Sequence, residues 1–327
     1  VTVLVTGGAG FIGSYVVRDL LERGDRVVVY DRVFDGNALD RLRPHPANEA
    51  ELTTVEGAIT DGGRILRLCQ REEVDRIVHL ASPLTQDVAA VPMSGVRDIC
   101  EGTATVFEVA STIAARKVVW TSSVAVFGAK SHYGAEPIAN DAVHRPDTLY
   151  GSCKSLCERI AIDYRDGYGV DSIGLRLSVV YGCGRQRGYM SFPSELIRRA
   201  ALGQSVDVPI SEQRINWQYV EEVSAMTLAA LDAPPTADLA FNTYGDPRSF
   251  RDAGEILTQL ATGATITLSN SPLDAAQRTL REAPYEFDAS EFDAQVGYAP
   301  QFPLERGIAE SLAAFQRLAE LEFDSAT

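Results

Sequence analysis

Tyr150 and Lys154 stand four residues apart in the stretch LYGSCKSLCERI. On a helix that spacing puts a phenol and an ammonium on one face. A free phenol is a poor base near neutral pH, and a neighbouring cation favours its phenolate. The pair therefore suits proton exchange with a carbinol or carbonyl. Ser123 closes the run KVVWTSS, where a hydroxyl can hydrogen-bond the reacting oxygen. The bland alternative is a packed tyrosine beside a solvated lysine. It weakens because a second chemical motif opens the chain.

Residues 6–13 read TGGAGFIG, directly after the apolar run VTVLV and at the head of an amphipathic stretch. Gly7, Gly10 and Gly13 recur at the spacing of a dinucleotide fingerprint, and strand-before, helix-after is the context that supports it. Glycine there permits a tight turn and close backbone approach to a pyrophosphate. The amides of Phe11 and Ile12 at the helix start then face the anion. The second apolar run, RVVVYD, ends at Asp31, near the acidic position expected on the adenosine ribose. A carboxylate repels a 2′-phosphate, so NAD is favoured over NADP, although Arg32 next door is able to meet such a phosphate.

These groups need elements to hold them. Strands are expected at 1–6, 26–31, 52–56, 74–80, 117–122 and 170–177, with helices near 11–23, 61–72, 86–115 and 148–167. The runs VLV, VVV and VVW are continuous, as in strands covered on both faces. Strand–helix alternation of this kind predicts an α/β fold: a Rossmann-type, doubly wound parallel sheet. Beyond 178 comes a glycine-rich loop, YGCGRQRGY, then helices near 191–203, 220–232, 249–262, 273–282, 289–296 and 304–322. Strands are expected near 213–219, 239–243 and 264–268. The division predicted is an NAD-binding domain over 1–177, with 213–243 packing back onto it, and a smaller α/β substrate domain over 178–327.

Composition narrows the class. The chain has 327 residues, 45% hydrophobic and 23% charged, which is ordinary for a folded protein. Thirty Lys+Arg against 45 Asp+Glu give a net charge of −15, unfavourable for nucleic acid or an anionic membrane surface. Lysine occurs only at 117, 130 and 154. No apolar run is long enough to span a bilayer, and VTVLV reads as a strand rather than a leader. The five cysteines form no C-x-x-C pair and no His-associated cluster, so neither a disulfide framework nor a metal site is expected, and free thiols suit a cytoplasmic setting.

Taken together, TGGAGFIG, VVYDR, GAITD, HLAS, TSSVAVFG, YGSCK, LRLSVVYG, WQYVEEV and GYAPQFPLERGI resemble, in order, the extended short-chain dehydrogenase/reductases of the NAD-dependent epimerase/dehydratase superfamily. The resemblance runs over nearly the whole chain. It implies an enzyme whose catalytic triad is Ser123, Tyr150 and Lys154. It implies that Asp61 and Gly62 lie against adenine, Ala81 and Ser82 along the nicotinamide path, and Val179 beside the ring. Substrate contacts are expected from Ser82, Thr85 and Ser123, and from Ser178, Arg185, Tyr189 and Arg214.

The departures bear on substrate. Val124 and Ala125 replace the acid pair with which dehydratases of the family eliminate water, which argues against dehydration. Ser178 stands where nucleotide-sugar enzymes carry Asn, Ile215-Asn216 where they carry Arg-Asp, and VPISEQR lacks their Gly-Asp-Gly turn. The leading expectation is an NAD-dependent oxidoreductase acting on a secondary alcohol or ketone, sugar-like or another small carbinol. The alternative is a (nucleotide-)sugar epimerase with a transient ketone, and a third is a non-catalytic dinucleotide sensor. A homodimer is expected through a four-helix bundle of helices near 93–113 and 150–166.

Overall fold

A computed structural model describes residues 1–34, 51–208, 210–269 and 285–326, with 189 and 322–326 as backbone only. Seven strands form one parallel sheet in the order β3-β2-β1-β4-β5-β6-β10. They are β1 (Thr2–Thr6), β2 (Arg26–Asp31), β3 (Leu52–Glu56), β4 (Arg76–His79), β5 (Lys117–Ser123), β6 (Ser172–Leu177) and β10 (Ala240–Asn242). The chain reverses direction across the sheet between β1 and β4. In open α/β sheets that switch point is where the strand ends open a crevice for ligand.

The continuous apolar runs are explained by the two cores. Val3 and Val5 of β1, Val27 and Val29 of β2, and Val119 of β5 enter one. Leu4, Val28, Val118 and Trp120 from the same strands enter the other. Each strand thus feeds both faces of the sheet by its two-residue period. Helices α1 (Phe11–Glu22) and α8 (Val220–Asp232) pack together, and Arg18 pairs with Glu221 between them. The first face is completed by α7 (Phe192–Ala201), α9 (Phe250–Leu260) and α11 (Leu304–Ala326).

The helix expected near 86–115 is broken. It runs as α3 (Thr85–Ala90), α4 (Pro92–Val96), one π turn (Arg97–Glu101) and α5 (Gly102–Thr112). Pro92 explains the first break, because its ring disfavours a helical residue before it and it has no N–H. Small additional sheets join β11 (Asp246–Ser249), β9 (Arg214–Tyr219) and β7 (Val179–Tyr181), and β12 (Ile266–Leu268) with β8 (Val206–Val208). Of the remaining expected helices, α10 (Ser290–Val296) is present, and the one near 273–282 lies outside the described residues. No described helix is long and apolar enough to cross a membrane.

Candidate active site

A cavity of about 970 Å³ runs along the C-terminal edge of the sheet. One end is the glycine turn between β1 and α1. A Cβ on Gly13 would lie 2.1 Å from the Gly7 carbonyl oxygen, and one on Gly7, at φ 73°, would lie 2.6 Å from the Ala81 amide nitrogen. The chain therefore folds back on itself here only with glycine. Helix α1 starts at Gly10 with no side-chain cap and no acid in its first turn. Its first amides are left for a ligand, and an anion is what they favour.

Asp31 ends β2 beside that turn. Its Oδ2 accepts the Ala9 N–H at 3.0 Å and its Oδ1 the Arg32 N–H at 2.7 Å. Burial pushes its carboxyl upward from the ordinary range, opposed by those amides. The Arg32 guanidinium, mostly exposed, reaches toward Asp98 at 3.5 Å. Bare amides, a cradle that a Cβ would fill and a carboxylate at the ribose position together fit NAD.

The other end holds Ser123, Tyr150 and Lys154, the groups expected to react. Helix α6 (Leu149–Tyr168) begins at Thr148, whose Oγ1 accepts the Gly151 N–H at 3.0 Å, a standard cap. Gly151 lets the helix start press onto the turn after Ser123, since a Cβ there would meet the Ala125 carbonyl oxygen at 2.3 Å. Tyr150 is thereby brought to the strand end that carries Ser123. Lys154 lies one turn on, buried, with Nζ 5.7 Å from the Tyr150 ring centroid and donating to the Thr121 carbonyl at 2.8 Å.

A buried network fixes that helix against the sheet. Glu158 accepts from Ser122 Oγ at 2.6 Å and from Arg176 Nε and Nη2 at 2.9 and 2.8 Å. His79, at the end of β4, bonds Thr6 at 2.7 Å and Thr103 at 3.3 Å. Burial, helped by the nearby Lys154 charge, pushes its imidazole down to about 3, so it stays neutral beneath the lysine.

Most of the expected site residues share the cavity. Gly7, Gly10, Phe11, Ile12, Gly13, Asp31 and Arg32 line one end; Ser82, Thr85, Ser123, Tyr150, Lys154, Ser178, Val179 and Arg185 line the other. Others sit elsewhere. Ala81 underlies Gly7 without lining the cavity. Asp61 caps α2 (Gly62–Arg71), accepting the Arg64 N–H at 3.0 Å, and neither it nor Gly62 lines the cavity. Arg214 is outside as well: it pairs with Glu286 at 3.4 Å and stacks over Tyr285. The Tyr189 side chain lies outside the described residues.

Sequence reasoning missed Thr148, whose capping pattern was visible, and Leu84, Met190 and Ile215, which line the cavity from separate segments. It also missed Tyr15, whose hydroxyl donates to the Cys183 carbonyl at 2.9 Å and anchors the 181–189 loop. Nothing near Tyr15 in the sequence signals that bond.

UDP-glucuronate 4-epimerase 4 of Arabidopsis thaliana is 29% identical over 255 residues, 76% of this chain and 57% of that protein. UDP-glucuronate 4-epimerase 6 of the same plant is 30% identical over 258 residues, 76% and 54%. The match thus spans little more than half the length of these relatives. Among solved structures, a partial consensus L-threonine 3-dehydrogenase superposes with a TM-score of 0.85 at 22% identity, covering 97% of this chain and 100% of that one. The UDP-glucose 4-epimerase of Thermotoga maritima, with UDP-glucose, gives 0.82 at 21%, covering 98% and 100%. Those two likenesses show the shared fold. The family model for NAD dependent epimerase/dehydratases matches residues 3–242. The chain therefore belongs to the NAD-dependent epimerase/dehydratase family, the extended short-chain dehydrogenase/reductases.

Proposed function

We propose that the protein is an NAD-dependent oxidoreductase that interconverts a secondary alcohol and its ketone, with Ser123, Tyr150 and Lys154 as the catalytic groups. The observation that carries this reading is the convergence of a buried ammonium, a phenol and a strand-end hydroxyl on the cavity that also contains the glycine cradle. Bound NAD would supply the hydride acceptor or donor. Tyr150 takes the carbinol proton in oxidation and returns it in reduction. Lys154 biases the phenol toward its anion and holds the nicotinamide ribose. Ser123 hydrogen-bonds the reacting oxygen. We assign residues 1–177 with 213–243 to the cofactor side and 178–327 to the substrate side, a division supported by the pairing of β10 with β6 and the packing of α8 on α1.

The second reading is an epimerase, which oxidises the carbinol, lets the ketone turn and reduces its other face. It is favoured by the UDP-glucuronate 4-epimerases among the relatives. The two separate in one assay. The purified protein is given NAD with secondary alcohols and, separately, UDP-glucuronate, while nicotinamide absorbance and product stereochemistry are followed. Net formation of NADH supports the dehydrogenase. An inverted product without net NADH supports the epimerase. Neither change with any compound would overturn both. We also propose a homodimer through α4–α6, where Met93, Leu149 and Leu156 stand exposed on the helices. Sedimentation should give twice the chain mass at micromolar concentration.

A further inference from the structure

The start of α6 lies inside a closed loop of chain. His144, four residues before the capping Thr148, bonds Ser155 Oγ through Nδ1 at 2.8 Å. Ser155 stands in the second turn of α6, next to Lys154. The bond therefore encloses Asp147, Thr148, Tyr150 and Lys154, all of which line the cavity. The enclosed stretch is also held at its beginning. The Arg145 N–H donates to the Val126 carbonyl at 2.9 Å, and a Cβ on Gly128, at φ 68°, would stand 2.1 Å from the Arg145 carbonyl oxygen.

The other ring nitrogen of His144 faces two opposite charges. Nε2 is 3.4 Å from Arg176 Nη2 and 3.4 Å from Glu158 Oε2. Its remaining neighbours are uncharged: the Phe127 ring stands edge-on at 5.8 Å, and the Tyr133 hydroxyl donates to the Val143 carbonyl at 2.7 Å. In a neutral imidazole with its proton on Nδ1, Ser155 accepts and Nε2 is open to the guanidinium. A protonated Nε2 can only donate, so Arg176 repels it and Glu158 draws it in. Glu158 also holds Ser122, the neighbour of Ser123. Burial keeps the imidazole pKa below its ordinary value; Glu158 opposes this and Arg176 adds to it.

We propose that His144 is a positioning residue for Tyr150: neutral, it locks the 144–155 loop, and gaining a proton loosens the lock as Nε2 turns from Arg176 to Glu158. The positioning role rests on Tyr150 being the acid–base group; the proton-dependent lock does not. The lock is lost on the acid side of the ordinary imidazole pKa of about 6.5. Ketone reduction separates the two groups. There Tyr150 gives up a proton, so acid favours it, and a fall of kcat toward low pH belongs to His144.

The test compares wild type with His144→Asn, His144→Ala and Ser155→Ala. Asparagine puts an amide near the place of Nδ1 and does not titrate. Hydrogen exchange over residues 146–156, corrected for its intrinsic pH dependence, needs no substrate. Between pH 7.5 and pH 5 it should quicken roughly 3- to 10-fold in wild type, the span of one hydrogen bond. His144→Asn should hold its protection at both pH values, and both alanine variants should exchange fast at both. In ketone reduction at saturating NADH, kcat should fall toward pH 5 in wild type and not in His144→Asn. His144→Ala should lose about 3- to 10-fold at every pH, with NADH affinity within threefold of wild type. Wild-type exchange indifferent to pH, or Ser155→Ala as protected as wild type at pH 7.5, would overturn the lock. An acid fall of kcat that survives in His144→Asn would overturn the positioning role, as would unchanged kcat in His144→Ala. If no compound turns over, the oxidoreductase reading fails separately, and exchange alone decides the lock.

Discussion

Replacing Gly13 by alanine adds one carbon at the most crowded point of the cofactor cradle. That carbon would stand 2.1 Å from the Gly7 oxygen, 2.7 Å from Gly8 Cα and 2.9 Å from Gly7 C. Restoring ordinary contact needs a displacement of about 1 Å, and the steric cost of such overpacking is about 1–3 kcal/mol. The Gly7 carbonyl is not free to give way: it accepts the Gly10 N–H at 3.1 Å, and the Gly7 N–H donates to the Tyr30 carbonyl at 3.0 Å. The shift must therefore pass into the turn proposed to face the pyrophosphate. Converted to binding, the same energy is about 5- to 150-fold in NADH affinity. Fluorescence titration of NADH into Gly13→Ala should find a loss in that range. Gly10→Ala, whose added carbon meets its nearest atom at 3.2 Å, should lose about threefold or less. Gly24→Ala, with φ 90° and nothing within 4 Å, should cost stability alone. A Gly13→Ala protein that melts normally and binds NADH as tightly as wild type would refute the cradle assignment.

Tyr150→Phe keeps the ring and removes the proton-carrying oxygen, so kcat should fall by about 10²–10⁴ while NADH still binds; more than a tenth of wild-type kcat, with chemistry limiting, would exclude Tyr150 as the acid–base. Lys154→Met should damage kcat comparably and weaken NADH as well, measured by the same titration. Asp31→Ala should shrink the preference for NAD over NADP by about 1–2 kcal/mol, read from kcat/KM with each cofactor. His79 has its folded-state pKa pushed below the unfolded value, to about 3, so the unfolded chain binds the extra proton first and stability is lost as pH falls below about 6.5. Between pH 6.5 and 5 this group alone should remove about 1.6 kcal/mol; unfolding free energies of wild type and His79→Asn from urea titrations should converge by that amount, and parallel pH profiles would contradict it.

What the sequence made legible is what short-range spacing encodes. The glycines of 6–13 and the Tyr150–Lys154 pair fix local geometry within a turn or two of backbone, and both ends of the cavity follow from them. The strands β1, β2 and β5 of the main sheet were equally readable, because burial on both faces writes an unbroken apolar run. The three-residue strands Val179–Tyr181 and Val206–Val208 were not, being too short to show a period. The pairings of Arg187 with Asp87 and of Arg214 with Glu286 depend on where distant segments bring their carboxylates. No local pattern records that, so arginines that look alike in the chain end in different environments. The break at Pro92 was visible in the sequence, and the regular apolar spacing on either side concealed it.

The network under α6 reaches further along the chain than the helix does. Arg176, which holds Glu158, also donates to the Asn140 carbonyl at 2.7 Å and approaches Asn242 Oδ1 at 3.4 Å. Asn242 in turn donates to the Ile138 and Asp288 carbonyls at 2.9 and 3.2 Å. In a chain emerging from its N-terminus, Ser123, Tyr150 and Lys154 all appear well before β10 exists. A nascent or truncated polypeptide ending before residue 240 would thus carry every reactive side chain and the dinucleotide turn, yet lack the strand that closes the cluster around Arg176. On the proposed assignment, catalytic competence is a late event of synthesis, coupled to arrival of the seventh strand rather than to Ser123, Tyr150 and Lys154.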